Sequence, residues 1–457
     1  MTDNSITHRK RLVVLGGGES GVGAAILGKE KGMDVFLSDY GNIPQRYAAQ
    51  LEEENIPFEQ GGHSEHLILN ADEVVKSPGI PPTAPIMVKI AEKGIPVISE
   101  IEFAGRYTDA KMVCITGSNG KTTTTLLTYH ILREAGINVG LAGNVGRSLA
   151  LQVAREHHDV YVIELSSFQL ENMYDFKANI AVMLNITPDH LDIYGTEEAY
   201  LESFAHFTEL IKSGGKLLLH TGLKLKPRQS PGVEVYTYSR DEGDFHAANI
   251  RRAEGHLSFD LVAPGRTISG IDLGVPVDIN IENAIAAIGA CLLTGEDISD
   301  DNIRKAMATF QGAKRRFEFW LREPGRAIID DYAHHPDELR ASITSVKALY
   351  PGRRLTVAFQ PHLYSRTRDF APQFAEALSM ADSVILLDIY PAREEPIEGV
   401  TSKIIFDRIS TPDKIMISKE NLTETIKSRN FEILLTAGAG DICASLPAIV
   451  DAVGHKG

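Results

Sequence analysis

Residues 113–123 combine glycine, lysine and threonine at a spacing that could bind phosphate. They read Val-Cys-Ile-Thr-Gly-Ser-Asn-Gly-Lys-Thr-Thr, so a short apolar run ends in a turn that opens a helical pattern. Glycine lets backbone N–H groups approach an anion, and the helix N-terminus favours negative charge. Lys121 can neutralise phosphates and a threonine hydroxyl can bind Mg²⁺. We expect a nucleotide-binding loop with a shortened interval from Gly117 to Gly120; the alternative is a strand-to-helix turn with a chance lysine.

A second glycine-rich turn follows the first apolar run. Arg11–Leu15 precedes Gly16–Gly21, and a second strand pattern, Asp34–Asp39, ends in an acid about 20 residues on. This order predicts a Rossmann-like unit, but it does not separate NAD from a UDP-sugar or from a structural turn, and a nicotinamide-dependent dehydrogenase is the alternative that this motif alone would give. Gly79, in a later Pro-Gly turn, could donate its N–H to a ligand or be a plain turn.

Two polar residues follow predicted strands behind the phosphate loop. Glu164 lies near the end of the apolar run 160–165, and His190 follows the run 180–186. Because ligands of open parallel sheets lie at the carboxyl ends of the strands, both side chains could hold a metal beside the phosphates. The alternative is that they are solvated or capping residues.

Polar clusters also follow two strands of the C-terminal third. The strands 327–331 and 355–359 lead into Tyr332–Pro336 and Pro361–Arg368. Arginine pairs bidentately with carboxylates, so the clusters predict a carboxylate-binding site. The alternative is a basic surface loop.

Composition limits the class of protein. A length of 457 residues suggests about three domains, and the alternation of strands and helices predicts an α/β fold. The net charge of −15 argues against non-specific nucleic-acid binding. We see no apolar run that could span a membrane and no signal peptide, and the three cysteines are isolated, so we expect a protein of the reduced cytoplasm without membrane insertion.

Taken together, these residues resemble the Mur ligases of peptidoglycan synthesis over essentially the whole chain. Thr116–Thr123 is similar to the family's phosphate loop, Asn280–Ala284 to its adenine-contacting motif, and Lys314–Glu318 to the entry of its third domain. The resemblance implies three domains. They are a Rossmann-like domain for the UDP substrate (1–108), a central P-loop ATPase domain (109–311) and a C-terminal Rossmann-like domain for the amino acid (312–457).

The two ends resemble different members of the family. Residues 1 to about 186 resemble the D-glutamate-adding type (MurD), and the chain from about 188 onward resembles the L-alanine-adding type (MurC). The motifs of the first part are Gly16–Gly23, Ser77–Ile80, Ile98–Phe103, Gly143–Gly146 and Glu164–Leu170. Those of the second are Asp189–Gly195, Tyr236–Arg240, Lys314–Phe317, Asp330–Pro336, Gln360–Asp369 and Gly438–Asp441. We therefore expect a hybrid, natural or engineered, with its junction within 187–192.

The resemblance implies an ATP-dependent ligase that forms an amide through an acyl phosphate, with ATP and Mg²⁺ as cofactors. The expected substrates are UDP-N-acetylmuramate and L-alanine. The alternatives are addition of D-glutamate to UDP-N-acetylmuramoyl-L-alanine and a non-catalytic nucleotide-binding protein. We expect a monomer or a weak dimer.

The resemblance also assigns roles to individual residues. Catalysis falls to Lys121, Glu164 and His190, and Mg²⁺ to Thr122, Glu164 and His190. The ATP-binding residues are Gly117, Ser118, Asn119, Gly120, Lys121, Thr122, Thr123, Asn283, Arg316 and Asp331. The UDP-substrate residues are Glu19, Ser20, Asp39, Gly79 and Asn144. The amino-acid residues are Tyr332, His334, His362, Arg366 and Arg368.

Overall fold

The computed structural model describes residues 9–187, 196–253, 255–312, 314–392 and 394–454. The chain divides into two compact units. The first holds the residues up to 247 together with 261–267 and 283–306, and the second holds 248–260, 268–282 and the chain from 307 onward.

The first sheet contains five parallel strands in the order β3-β2-β1-β4-β5. The strands are β1 (Arg11–Leu15), β2 (Asp34–Asp39), β3 (Phe58–Gln60), β4 (Glu73–Lys76) and β5 (Val97–Ile98). The helices are α1 (Glu19–Glu30), α2 (Gln45–Glu53), α3 (Glu65–Ile68), α4 (Pro85–Glu92) and α5 (Glu100–Gly105). At Gly16, after β1, φ is +102° and a Cβ would collide with the Ser77 side chain after β4. Only glycine therefore fits where these two loops meet.

The second sheet contains six parallel strands in the order β11-β10-β9-β6-β8-β7. The strands are β6 (Lys111–Thr116), β7 (Val139–Gly143), β8 (Val160–Glu164), β9 (Ala178–Met183), β10 (Ile211–His220) and β11 (Glu234–Tyr238). The helices are α6 (Lys121–Glu134), α7 (Leu149–Arg155), α8 (Ser167–Leu170) and α9 (Glu197–Glu209). Strand β8 is buried along its whole length, as expected for a parallel strand covered on both faces. Its position between β6 and β7 brings the ends of β6 and β8 together.

A three-stranded sheet and two helices follow. The strands are β12 (His246–Ala253), β13 (His256–Ala263) and β14 (Arg266–Asp272), and the helices are α10 (Ile279–Leu293) and α11 (Asp300–Thr309). Cys114 in β6 and Cys291 in α10 are fully buried, whereas Cys443 is partly exposed.

The last sheet has the order β15-β16-β20-β17-β18-β19, with β15 antiparallel to β16 and the other pairs parallel. The strands are β15 (Glu318–Glu323), β16 (Arg326–Asp331), β17 (Leu355–Phe359), β18 (Ser383–Leu386), β19 (Lys414–Met416) and β20 (Ile433–Ala437). The helices are α12 (Pro336–Leu349), α13 (Tyr364–Leu378), α14 (Lys403–Phe406), α15 (Leu422–Ser428) and α16 (Leu446–Val453), with 3₁₀ turns at Lys419–Asn421 and Ile442–Ser445. The parallel strands place the predicted polar clusters at one sheet edge.

The structure confirms the α/β class, with parallel strands that alternate with helices. The predicted strand 180–186 is wrong at its end, because β9 stops at Met183 and Asn185 turns to the phosphate loop. The domain boundaries at 108 and 311 stay a prediction. Among the described residues, no helix is both long enough and apolar enough to cross a membrane.

Candidate nucleotide and substrate site

The loop between β6 and α6 has a backbone that requires glycine at two positions. Gly117 has φ +141°, and a Cβ there would lie 2.7 Å from Leu184 Cβ. Gly120, which caps α6, has φ +84°, and a Cβ there would collide with Asn283 Oδ1. These conformations bring the backbone close to its neighbours and aim the N-terminus of α6 at the loop, as a phosphate site needs.

The lysine of the loop lies across its backbone. Lys121 Nζ donates to the carbonyl oxygens of Gly117 and Ser118, each at 2.8 Å. Its charge therefore lies beside the N-terminus of α6, and both features favour an anion. Thr122 and Thr123 follow in the first turn of the helix.

Asn185 holds the other side of the loop, a role that the sequence analysis missed. Its Oδ1 accepts from Asn119 N at 3.0 Å, and its Nδ2 donates to Asn119 O at 3.0 Å. Ser118 N donates to Asn185 O at 2.8 Å, and Ser118 Oγ donates to Thr187 O at 3.0 Å. The signal was hidden because Asn185 stands within an apolar run that reads as strand.

Glu164, at the end of β8, has one buried oxygen without a partner. The residue is 1% exposed. Its Oε1 accepts from Asn144 Nδ2 at 2.9 Å, whereas its Oε2 has no hydrogen-bond partner among the residues that the structure describes. A buried carboxylate oxygen is costly unless it is paired or binds a metal, so Oε2 fits a hard divalent cation.

The other proposed metal ligands are only partly described. The hydroxyl of Thr122 is an oxygen donor of the type that Mg²⁺ prefers. His190 lies outside the described residues. Within the described ranges there is no group of three or more His, Cys, Asp or Glu residues that could hold a metal ion.

The predicted UDP-substrate residues make different contacts. Asp39 accepts from Gly17 N at 2.5 Å and from Gly41 N at 2.7 Å, so it fixes the glycine turn after β1. Ser20 lies in the first turn of α1, and the space around the α-carbon of Gly79 is open. Asn144 pairs with Glu164 instead, which links a predicted substrate residue to the predicted metal ligand.

Glu19 and Glu100 both bind the start of α7. Glu19 Oε1 accepts from Ser148 N at 3.2 Å. Glu100 Oε1 accepts from Ser148 Oγ at 2.8 Å and from Ala150 N at 2.6 Å. Burial raises the pKa of Glu100 to about 7; the hydrogen bonds from Ala150 and Ser148 oppose the shift, and the nearby Glu19 charge adds to it.

In the second unit, Arg315 ties together the ends of two strands. Its Nε donates to Asp330 Oδ2 at 3.2 Å, and its Nη groups donate to the carbonyl oxygens of Gly438 and Gly440. The neighbouring Arg316 has its guanidinium carbon 5.5 Å from the centre of the Tyr332 ring. The guanidinium carbon of Arg315 also lies over this ring, at 5.0 Å. Because the fold uses the hydrogen-bond donors of Arg315, Arg316 is the candidate for a ligand.

Asp331, the other predicted ATP residue of this unit, ends β16. Its Oδ2 accepts from Ser342 Oγ at 2.6 Å, and its Oδ1 accepts from Ala333 N at 3.3 Å. Burial raises the pKa of Asp331, while the Ser342 hydrogen bond and the Arg316 charge oppose that shift.

An aromatic cluster joins most of the predicted amino-acid residues. Its ring centroids lie 5.2 Å apart for Tyr332–His334, 6.2 Å for His334–His362 and 5.8 Å for His362–Tyr390, the last pair stacked at 15°. His362 Nδ1 and Arg366 Nη1 are buried without a hydrogen-bond partner in the described part of the chain. Burial and the Arg366 charge lower the pKa of His362. A buried guanidinium nitrogen without an acceptor suits a carboxylate ligand.

Two neighbouring residues differ from this pattern. Arg368 has a side chain that is 53% exposed, and its Nε donates to Asp369 at 2.7 Å, so the structure does not bring it into the aromatic cluster. Leu363 has φ +73°, and its N–H donates to Tyr390 O at 3.0 Å. Tyr390, which the sequence analysis missed, therefore contacts His362 through its ring and Leu363 through its backbone carbonyl.

Family models match three successive segments of the chain. They are described as a Mur ligase MurD-like N-terminal domain (residues 10–99), a Mur ligase middle domain (115–291) and a Mur ligase glutamate ligase domain (315–444). The three segments correspond in order to the first sheet, the phosphate-loop sheet and the last sheet.

Relatives agree with these matches. A UDP-N-acetylmuramate–L-alanine ligase of Phocaeicola vulgatus is 41% identical over 95% of this chain and 98% of its own. A UDP-N-acetylmuramoylalanine–D-glutamate ligase of Bacteroides thetaiotaomicron is 47% identical over 70% of this chain and 72% of its own. The crystal structure of the MurC ligase of Thermotoga maritima has a TM-score of 0.64 at 24% identity and covers 97% of this chain and 99% of its own, which shows the shared fold.

The expectation of a hybrid is not supported. An L-alanine ligase matches the chain almost from end to end, so no junction near 187–192 is needed to explain the similarity. The match at residues 10–99 describes a type of N-terminal domain. It does not by itself join this part of the chain to the D-glutamate-adding ligases.

We predict that Gly120→Ala weakens ADP binding about tenfold or more, since the new Cβ would push Asn283 from the phosphate loop and strain a positive φ. Calorimetric titration of ADP measures the effect. Gly136→Ala is the matched control, because Gly136 follows the same helix with φ +82° and a Cβ there would meet no atom within 4 Å. Equal losses in both variants would contradict the prediction.

We predict that Glu100→Gln flattens the pH dependence of stability. Burial raises the native pKa from 4.5 to about 7, so the native state keeps a proton that the unfolded chain releases. The contribution is fully present below pH 4.5 and is lost as the pH rises through 7. Relative to the wild type, the variant should gain about 3 kcal/mol in unfolding free energy between pH 5 and pH 8.

Urea unfolding at the two pH values measures this difference. The control is Glu202→Gln, at a side chain that is 64% exposed, which should follow the wild type. A Glu100→Gln curve parallel to that of the wild type would disprove the assignment.

Proposed function

The chain belongs to the Mur ligase family, and we propose that it joins L-alanine to the carboxylate of UDP-N-acetylmuramate with conversion of ATP to ADP and phosphate. The observation that carries the proposal is the near full-length similarity to an L-alanine ligase. The phosphate loop and the aromatic cluster beside Arg366 support it, because they supply sites of the right chemistry for a nucleotide and for a carboxylate.

The proposed reaction has two steps. A substrate carboxylate oxygen attacks the γ-phosphorus of ATP, the bond to ADP breaks, and an acyl phosphate forms. The amino group of alanine then attacks the acyl carbon, loses a proton, and expels phosphate as the amide forms. The protein has little covalent work to do, so its contribution is positioning and neutralisation of charge.

We assign the nucleotide end to the first unit's phosphate loop. Lys121 neutralises the transferring phosphoryl group, and the backbone of 117–120 surrounds the phosphates. Thr122, Glu164 and His190 would hold Mg²⁺, which would neutralise phosphate charge when bound. Glu164 Oε2 supports this assignment as a buried oxygen that no described residue pairs with.

Other residues complete the proposed ATP and UDP sites. Asn283 contacts adenine; its Oδ1 lies 3.4 Å from Thr124 Oγ1, at the start of α6. We also assign Arg316 and Asp331 to ATP, as the family resemblance implies. The UDP end is assigned to Glu19, Ser20, Asp39 and Gly79, with Asn144 also touching the metal carboxylate.

We assign the alanine carboxylate to Arg366. Tyr332, His334 and His362 line the same cluster, and a neutral His362, favoured by its lowered pKa, avoids a second charge beside the guanidinium. Arg368 stays a weaker candidate because it is paired at the surface.

The remaining features of the proposal concern the whole protein. We infer three domains with boundaries at 108 and 311, a cytoplasmic location that matches a nucleotide-activated substrate, and a monomer or weak dimer.

Addition of D-glutamate to UDP-N-acetylmuramoyl-L-alanine is the second candidate. The 47% identity to a D-glutamate ligase over 70% of the chain favours it. It is weaker because that similarity leaves part of the chain uncovered.

We predict phosphate release from ATP and Mg²⁺ with UDP-N-acetylmuramate and L-alanine, and none above background with UDP-N-acetylmuramoyl-L-alanine and D-glutamate. The two pairs are assayed in parallel with coupled detection of phosphate. Turnover of the second pair alone would overturn the proposed substrate. Lys121→Ala should abolish turnover, and unchanged ATP hydrolysis in that variant would revive a non-catalytic role.

We predict that Arg366→Ala raises the KM for L-alanine at least about tenfold, because a charge-assisted pair with the carboxylate is lost. Initial rates at saturating ATP measure it. Arg353→Ala is the control: Arg353 precedes β17, at the opposite edge of the sheet, and its Nη1 pairs with Glu432 at 2.9 Å. An equal rise in both variants would contradict the role of Arg366.

A further inference from the structure

Helix α5 carries two buried carboxylates that hold loops of the phosphate-loop sheet. Glu100 is 5% exposed and accepts from Ser148 and Ala150 at the start of α7. Glu102 is fully buried, and its Oε2 accepts from three successive backbone N–H groups, those of residues 174, 175 and 176, at 3.0, 3.2 and 2.8 Å. The same helix therefore holds two separate loops, through two side chains of the same type.

The loop held by Glu100 is fixed on more than one side. Ser148 N donates to Glu19, and Ser148 Oγ also accepts from Leu151 N at 3.1 Å as the cap of α7. A Cβ on Gly23 of α1 would collide with Ser148 Oγ, so α1 also packs directly on this residue. Ser148 thus lies at a point where α1, α5 and α7 meet.

The five residues before Ser148, 143–147, form a tight connection back to Glu164. Gly143 has φ +98°, and a Cβ there would collide with Glu164 O. Gly146 has φ +91°, and a Cβ there would collide with Leu141 O, to which Arg147 N donates at 3.2 Å. Little slack remains between the anchored Ser148 and the end of β8.

Asn144 lies within this connection and binds Glu164 twice. Its backbone N–H donates to Glu164 O at 3.0 Å, and its Nδ2 donates to Glu164 Oε1 at 2.9 Å. The amide therefore occupies one carboxylate oxygen and leaves Oε2 as the oxygen without a partner among the described residues. Such a hydrogen bond orients a metal-binding carboxylate.

We propose that Glu100 is a positioning residue: by anchoring Ser148 it holds Asn144 against Glu164, in the orientation that leaves Oε2 for a divalent cation. The first sheet's helix thereby sets the geometry of a ligand on the second sheet. The proposal rests on the proposed function in one respect, namely that Glu164 binds Mg²⁺.

The test is calorimetric titration of MgCl₂ into the full chain saturated with ADP. Asn144→Ala should weaken Mg²⁺ binding about tenfold or more, as losses of hydrogen bonds to a metal ligand do. Glu100→Ala should weaken it about threefold or more, and Glu100→Gln, which keeps an acceptor oxygen for Ser148 and Ala150, should stay within about twofold of the wild type. The double variant Glu100→Ala with Asn144→Ala should bind Mg²⁺ no more weakly than Asn144→Ala, because both changes act on one path.

Glu102→Ala is the matched control. It removes an equally buried carboxylate from the same helix, but its loop does not contain Asn144. It should lower stability and leave Mg²⁺ binding unchanged. Equal weakening of Mg²⁺ binding in the Glu100 and Glu102 variants, or strict additivity of Glu100→Ala and Asn144→Ala, would overturn the proposal and reduce Glu100 to a stabilising residue.

Amide hydrogen exchange separates this proposal from the proposed function. In Glu100→Ala, the peptides that span 141–151 should exchange faster than in the wild type, while those that span 171–178 should not; the reverse is expected for Glu102→Ala. If Glu100→Ala does not fold, Ser148→Ala removes the hydrogen bond between Ser148 Oγ and Glu100 by changing its donor. Unchanged exchange in 141–151 would overturn the positioning role, whereas a wild type without Mg²⁺ binding would overturn the metal role of Glu164.

Discussion

The burial of one carboxylate oxygen, Glu164 Oε2, is the constraint on which the arrangement of the first unit depends. Water would solvate such an oxygen at once if the surrounding loops were loose, and burial without a partner is unfavourable. Asn144 donates to the other oxygen, and glycines that pack against backbone close the strand ends around the carboxylate. The close approach of Gly143 to Glu164, like that of Gly117 to Leu184, leaves no room for a side chain. The unfavourable free energy of burying this oxygen is thus offset by many favourable contacts around it.

In the second unit, the groups that need partners are the cationic side chains of arginines. Two adjacent arginines, Arg315 and Arg316, are nearly identical in sequence terms, but their environments differ. Arg315 donates to the carboxylate of Asp330 in β16 and to the carbonyl oxygens of Gly438 and Gly440 after β20, so it is part of the scaffold. Both arginines lie over the Tyr332 ring, so the hydrogen bonds of Arg315 are what sets the two apart. Arg366 has a buried nitrogen without an acceptor in the described chain. The fold therefore separates cations that hold loops from cations that can meet a ligand.

Much of this could be predicted from the sequence, and the reasons are local. Apolar runs that end in glycine or in polar clusters marked the positions of β1, β2 and β17. Where a strand ends, the chain turns, and the turn favours particular residue types that the sequence shows directly. The positions of Lys121 and Glu164 could be predicted because a glycine-rich motif and the end of a strand mark them, while their roles stay a prediction. Asn185, Tyr390 and Glu100 were missed, since their roles arise from partners 66, 28 and 48 residues away that no spacing rule connects. Asn144 was identified as a substrate residue, and its contact with Glu164 appeared only once β7 and β8 were adjacent.

The burial of two thiols has a consequence for how opening of the fold can be followed. Cys114 and Cys291 are fully buried, in a central strand of the phosphate-loop sheet and in α10, and burial raises the pKa of both thiols far above that of free cysteine. Alkylating reagents attack the thiolate, so these two cysteines become reactive only when their surroundings open. Cys443 is partly exposed in the second unit, so we expect it to react without such an opening. The rate at which Cys114 and Cys291 are alkylated should therefore report how often the central core opens. Alkylation of Cys443 should serve as the reference for the folded chain.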